Sequence, residues 1–179
     1  MALNVISLAA GPGAGKSTLA AALFAEMKRR RFSVELVTEY AKECTYDKAW
    51  CHLGDQFNVL AQQNYRLTRL EGKVEWVITD SPLFLTLIYC KESERDFFRP
   101  IVHGLWNRYH NQAFMLRRTS RPFQQFGRNE NLEQAVRIDE KIANLACEFG
   151  MRTMLDPDFP NIEREVVEKY LEPACRNAA

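Results

Sequence analysis

At 179 residues, 46% hydrophobic and 26% charged, the sequence has the make-up of a single globular domain (residues 1–179), not of a disordered or fibrous protein. A net charge of +1 excludes a general attraction to nucleic acid, so contact with DNA or RNA would need a local basic patch. No apolar run reaches the ~20 residues of a membrane span, and the five cysteines (Cys44, Cys51, Cys90, Cys147, Cys175) form no C-x-x-C pair; a cytoplasmic protein with reduced thiols and no secretory signal is expected.

Asn4 to Ala9 reads as a buried strand, and the next nine residues are Ala10-Gly11-Pro12-Gly13-Ala14-Gly15-Lys16-Ser17-Thr18. A helix follows to about Arg30. Strand, glycine-rich turn and a helix opening on Gly-Lys-Ser together make a phosphate-binding P-loop. Gly11, Gly13 and Gly15 permit positive φ, so successive N–H groups turn toward an anion at the positive end of the helix dipole. Lys16 then reaches the β- and γ-phosphates of ATP, and Ser17 holds Mg²⁺. The basic run Lys28-Arg29-Arg30-Arg31 lies about 20 Å away at 1.5 Å per residue and reads as a solvated C-terminal cap.

Ser33 to Thr38 reads as the second strand, running into Glu39, and residues 44–54 as irregular chain or a short helix. Asp55 to Glu71 has helical spacing, and Val74 to Thr79 is a third strand ending at Asp80-Ser81-Pro82. Helices over Pro82–Cys90 and Glu94–Tyr109 precede a fourth strand, Ala113 to Leu116. The polar stretch 117–131, with Arg117, Arg118, Arg121 and Arg128, reads as a loop. A helix over Leu132–Phe149, a strand over Met151–Leu155, a turn and a helix over Ile162–Leu171 complete the chain. This alternation implies an α/β fold with a parallel sheet covered on both faces.

Ligands of such sheets collect beyond the carboxyl ends of the strands, where the P-loop, Glu39 and Asp80 should meet. Asp80 stands where an acid binds Mg²⁺, and Glu39 suits the acceptance of a proton from an acceptor hydroxyl; their two roles are interchangeable at this level. Arg121 or Arg128, in an arginine-rich lid, would neutralise charge on the transferring group and exclude water. Asp139 falls within the apolar stripe of Leu132, Ala135, Ile142, Ala143 and Ala146, so it wants a cationic partner, a lid arginine being one candidate. Tyr40, Tyr46, Trp50 and Phe84 are candidates for stacking on an acceptor ring. His52, His103 and His110 lack metal-ligand spacing and read as structural.

The P-loop, the Asp80-Ser81-Pro82 turn and the arginine lid resemble the nucleoside and nucleoside-monophosphate kinase branch of P-loop proteins, thymidylate kinase included. Val37-Thr38-Glu39-Tyr40-Ala41-Lys42-Glu43 is similar to the segment after the second strand of ribosylnicotinamide-kinase-like proteins. Three blocks, Leu8–Thr18, Glu35–Lys42 and Val77–Pro82, resemble bacteriophage P-loop kinases that include the 5-hydroxymethyluracil DNA kinases. The resemblance covers roughly residues 5–145. It implies a three-layer α/β/α fold with five parallel strands in the order 2-3-1-4-5, and an adenine near Asp156 and Pro157. It also implies ATP and Mg²⁺ as cofactors and γ-phosphoryl transfer to a hydroxyl, first that of 5-hydroxymethyluracil in phage DNA within a host cytoplasm. A free nucleoside or nucleotide acceptor, a partner-stimulated ATPase and an ATP-binding protein without turnover are the alternatives.

Overall fold

The computed structural model describes residues 2–124, 126, 128–151 and 153–171. Gln125 and Gly127 of the expected lid, Arg152 of the expected fifth strand and Cys175 lie outside them. Strands β1 (Asn4–Ala9), β2 (Val34–Val37), β3 (Trp76–Thr79), β4 (His110–Leu116) and β5 (Thr153–Leu155) form a five-stranded sheet in the order β2-β3-β1-β4-β5. Every pairing is parallel. The helices are α1 (Lys16–Arg29), α2 (Tyr40–Tyr46), α3 (Trp50–Gly54), α4 (Gln56–Thr68), α5 (Thr86–Tyr89), α6 (Arg95–Trp106), α7 (Leu132–Leu145) and α8 (Ile162–Val166).

A parallel sheet covered on both faces needs strands apolar along their whole length. In β1, Ile6 and Leu8 join the core that includes Leu19 and Leu23 of α1 and Val166 of α8. Val5 and Ala9 turn the other way, into the core built from α4, α5, α6 and α7. The two cores sandwich the sheet, which gives the three layers expected.

Strand β4 and the closing helix depart from the sequence reading, and residues 44–54 take the short-helix form it left open. Strand β4 begins at His110, because the polar His110, Asn111 and Gln112 still pair with Asn4, Val5 and Ile6. Asn111 Nδ2 donates to Trp106 O at 2.7 Å and Tyr109 O at 3.2 Å, which fixes the corner entering the strand. Residues 44–54 hold the end of α2 and all of α3, too short for helical periodicity to register. The closing helix widens into a π-helical turn over Val167–Leu171.

Helix α7 starts where Asn131 and Gln134 form a reciprocal capping box, which contributes about 1 kcal/mol. At the far end of α1, Lys28 pairs with Glu35, and Arg29 and Arg30 with Glu26. Cys44 and Cys90 are buried free thiols, and Cys51 and Cys147 exposed ones. Among the described residues no helix is long and apolar enough to cross a membrane.

For the site, the register matters most. Val37 of β2 and Ser7 of β1 both pair with Thr79 of β3. The residues that follow these three strands therefore leave the sheet along one edge.

Candidate functional site

Between β1 and α1 the chain turns through Gly13 at φ 78° and Gly15 at φ 92°. Both are left-handed values open to glycine without steric cost. Gly11 corrects the expectation of positive φ there, since its requirement is space. A Cβ at Gly11 would stand 2.5 Å from Ala135 O and 2.8 Å from Asp139 Oδ1. The Gly11 N–H donates to Asp139 Oδ1 at 2.6 Å and Pro12 has no N–H, so the N–H groups that could meet an anion begin at Gly13.

Lys16 is buried, and its Nζ donates to Ala10 O at 2.7 Å and Gly11 O at 3.1 Å. Burial pulls the ammonium below its ordinary value, opposed by the nearby carboxylates of Glu39, Asp80 and Asp139. Ser17 Oγ donates to Asp80 Oδ2 at 2.5 Å. Asp80 is 4% exposed, and its Oδ1 is a buried acceptor with no partner among the described residues.

A divalent cation fits this pair, because it would satisfy Asp80 Oδ1 beside a hydroxyl already in place. Among the described residues no cluster of three His, Cys, Asp or Glu stands ready as a metal cage. The remaining ligands would be phosphate oxygens and water, the usual arrangement for Mg²⁺.

Glu39 is the N-cap residue of α2, yet its side chain makes no capping bond. It lines a cavity of about 200 Å³ that begins at the P-loop. Although part of its surface is open to that cavity, burial dominates and raises its carboxyl above the ordinary glutamate value. Lys16 opposes the rise, and Asp80 and Glu130 add to it.

From Lys16, Ser17 and Glu39 the cavity runs into a chamber walled by Leu53, Val59, Leu85 and Ile138, with Gln56, Thr86, Tyr89 and Glu130 as polar members. Tyr89 is partly open to solvent, yet its packing in the cavity wall and the Glu130 and Glu39 carboxylates push the phenol upward, so it stays a neutral hydrogen-bonding group. Of the aromatic residues expected here, Phe84 is instead core, packed between Trp106 and Phe149. Tyr40 lies under the Arg66 guanidinium, and Tyr46 and Trp50 are exposed. Sequence reasoning missed Tyr89, whose one available signal was its position four residues after Leu85 in the segment leaving β3.

The arginine-rich loop packs onto the P-loop. Arg118 Nη1 donates to Pro12 O at 2.8 Å, while its Nε and Nη2 donate to Asp139 Oδ2 at 2.9 and 2.6 Å. Asp139 thus has its lid arginine. Phe123 ring carbons stand 2.7 Å from where a Gly13 Cβ would lie. Arg128 lines the cavity, stacks over the Phe123 ring at 5.5 Å and donates to Gln124 O. Arg121 instead pairs with Asp158 at 3.3 Å. Asp158 also accepts from Ser120 N at 2.7 Å, and Pro157 lies against Gly15, so the lid base is tied to the turn after β5.

A family model described as an AAA domain (AAA_28) matches residues 5–164. Comparison with curated proteins gives no match. Among solved structures, the chain is similar to NadR protein in complex with NAD and AMP-PNP, with TM-score 0.63, 15% identity, and coverage of 93% of this chain and 48% of that one. It is also similar to NadR protein in complex with NR, with TM-score 0.63, 17% identity, and coverage of 98% and 49%. The chain spans about half the length of these neighbours, and at such identity the likeness shows a shared fold. With its P-loop and the family match over most of its length, this chain belongs to the AAA_28 family of AAA domains, a nucleotide-binding P-loop protein.

Proposed function

We propose that the protein is an ATP-dependent kinase that transfers the γ-phosphoryl group to a hydroxyl of a small, nucleoside-sized acceptor. The observation carrying this reading is one continuous cavity, from Lys16 and Ser17 past Glu39 into a chamber of mixed apolar and polar walls. Its volume of about 200 Å³ and its walls from α2, α3, α4, α5 and α7 favour a free nucleoside or nucleotide over a strand of DNA. The 5-hydroxymethyluracil DNA acceptor expected first from sequence therefore becomes the second reading. The NadR neighbours, one described with NAD and AMP-PNP and the other with NR, agree with nucleotide chemistry in this fold.

In this mechanism Lys16 and the Gly13–Thr18 N–H groups would hold the phosphates, and Ser17 and Asp80 would hold Mg²⁺, which would supply charge neutralisation. Glu39 accepts the acceptor hydroxyl proton, with a carboxyl already raised by burial toward a working base. Arg128, at the cavity wall, balances charge on the transferring group, whereas Arg121 acts through Asp158 at the lid base. Packing of the lid against the P-loop excludes water, which limits wasteful hydrolysis.

The test is incubation with γ-labelled ATP and Mg²⁺ in three arms: free ribonucleosides, DNA containing 5-hydroxymethyluracil, and no acceptor. Label in a nucleoside supports the reading. Label in DNA alone transfers the assignment to the second reading, and release of free phosphate alone in every arm overturns kinase activity.

A further inference from the structure

Strand pairing between β2 and β3 ends at Val37 and Thr79. Beyond that point nothing in the ladder holds Glu39 at a fixed distance from Asp80. The link comes from α4. The Gln63 side chain, 2% exposed, accepts from Tyr40 N through Oε1 at 3.1 Å. Its Nε2 donates to Thr38 O at 3.3 Å and to Thr79 Oγ1 at 3.4 Å. One amide therefore grips the backbone on both sides of Glu39 and the residue immediately before Asp80. The donor and acceptor demands at its two ends also fix which amide atom is which. Thr79 Oγ1 in turn accepts from Ser81 N at 3.1 Å, which extends the grip past Asp80.

The amide stands on a rigid base. Asp55 caps α4 by accepting from Phe57 N and Asn58 N, and Val59, Leu60 and Leu67 bury the helix in the core. Arg66, one residue-triplet further along α4, reinforces the same corner through Glu43 and through Thr38 O at 3.4 Å.

We infer that Gln63 is a positioning residue that sets the spacing of Glu39 and Asp80, and thereby aligns the acceptor base with the metal-holding acid. This rests on the phosphotransfer reading above. It assigns Gln63 no contact with either substrate: it acts through Thr38, Tyr40 and Thr79. Glu39 also faces Lys16 on α1, Lys42 on α2, Asp80 after β3 and Glu130 before α7, so its setting is sensitive to small displacements.

Gln63→Met keeps the length of the side chain and removes the amide. With the ribonucleosides as acceptors, it is expected to lower kcat about a hundredfold, the scale of a misplacement near 1 Å. KM for ATP should stay within about threefold, since the Gln63 amide bonds Thr38, Tyr40 and Thr79 and not the P-loop. Calorimetric titration with ATP in EDTA should match the wild type, while the gain in affinity on adding Mg²⁺ should largely disappear. Thr79→Val should show a smaller loss of the same kind. The double variant should be no worse than Gln63→Met alone, because both substitutions break one network.

A folded Gln63→Met with wild-type kcat and an intact Mg²⁺ gain would overturn the inference. So would additive losses in the double variant, or an equal loss of ATP affinity in EDTA, which would mark a general structural role. If Gln63→Met does not fold, Thr79→Val decides alone, and an unchanged Mg²⁺ gain overturns the positioning role. A wild-type protein that gains ATP affinity with Mg²⁺ but labels no acceptor defeats the kinase reading only, because calorimetry reads the Gln63 network without an acceptor.

Discussion

Asp139, on α7, accepts the backbone N–H of Gly11 at 2.6 Å, and its second oxygen holds the Arg118 guanidinium that also bonds Pro12 O. A helix remote in sequence thus fastens both the phosphate-binding loop and the loop folded over it.

Removing this fastening should loosen both loops. The Arg118 and Asp139 side chains are 19% and 21% exposed, so the pair is largely shielded from solvent. Asp139→Ala is expected to cost at least about 1–3 kcal/mol, the range for a buried hydrogen-bonding group left unpaired, and to raise KM for ATP. Arg118→Ala should behave alike, while Arg121→Ala should have the smaller effect, because the Arg121 side chain is 66% exposed beside Asp158. Thermal unfolding and ATP titration of the three variants check the ranking.

Glu39→Gln should separate activity from stability. Loss of the base is expected to cut phosphotransfer by about 10²–10⁴-fold with ATP affinity retained. Folded Glu39 holds its proton more tightly than the unfolded chain does, because burial raises it above the ordinary 4.5. Between that value and the raised one the folded state binds more protons, so its stability falls as pH rises. The Gln variant should therefore melt higher than wild type at neutral pH, and the difference should close below about pH 4.5. Melting curves across pH test this.

Asp80→Asn and Ser17→Ala should both weaken the response to Mg²⁺. Ser17→Ala strips Asp80 Oδ2 of its 2.5 Å donor while Oδ1 is already without one. ATP affinity in EDTA should hold, and the concentration of Mg²⁺ giving half-maximal turnover should rise. A metal titration of activity reads the outcome directly.

Gly11→Ala should destabilise by about 1–3 kcal/mol, the usual cost of overpacking, because the added methyl meets the Ala135 carbonyl and the Asp139 carboxylate. Neither neighbour is a freely retreating side-chain tip. Gly15→Ala strains a φ of 92° instead, with Thr119 Cγ2 only 3.0 Å away. Melting temperatures a few degrees below wild type are expected for both.

The sheet and the P-loop were legible in the sequence, because buried parallel strands and Gly-Lys-Ser at a helix start have strong local signatures. Strand ends placed Glu39 and Asp80 on one edge, and the apolar stripe around Asp139 foretold a cation. Partners spanning long stretches of chain were not legible. Helical spacing sets Gln63 on the face of Leu60 and Leu67, but the partners of its amide, Thr38 O, Tyr40 N and Thr79 Oγ1, come from strand ends remote in sequence. Tyr89 was hidden for a similar reason, since its value depends on Glu130 approaching from a loop some forty residues away. The aromatic residues near Glu39 in sequence failed as ring-stacking candidates because α2 and α3 turn Tyr46 and Trp50 outward.

Helix α7 also lends Ile138 and Ile142 to the cavity wall, within one turn of the aspartate that grips the loop at Gly11. A stiff rod touching two compartments transmits any tilt from one to the other. A displacement of this one turn would therefore move the cavity wall and the Gly11 anchor of the P-loop together.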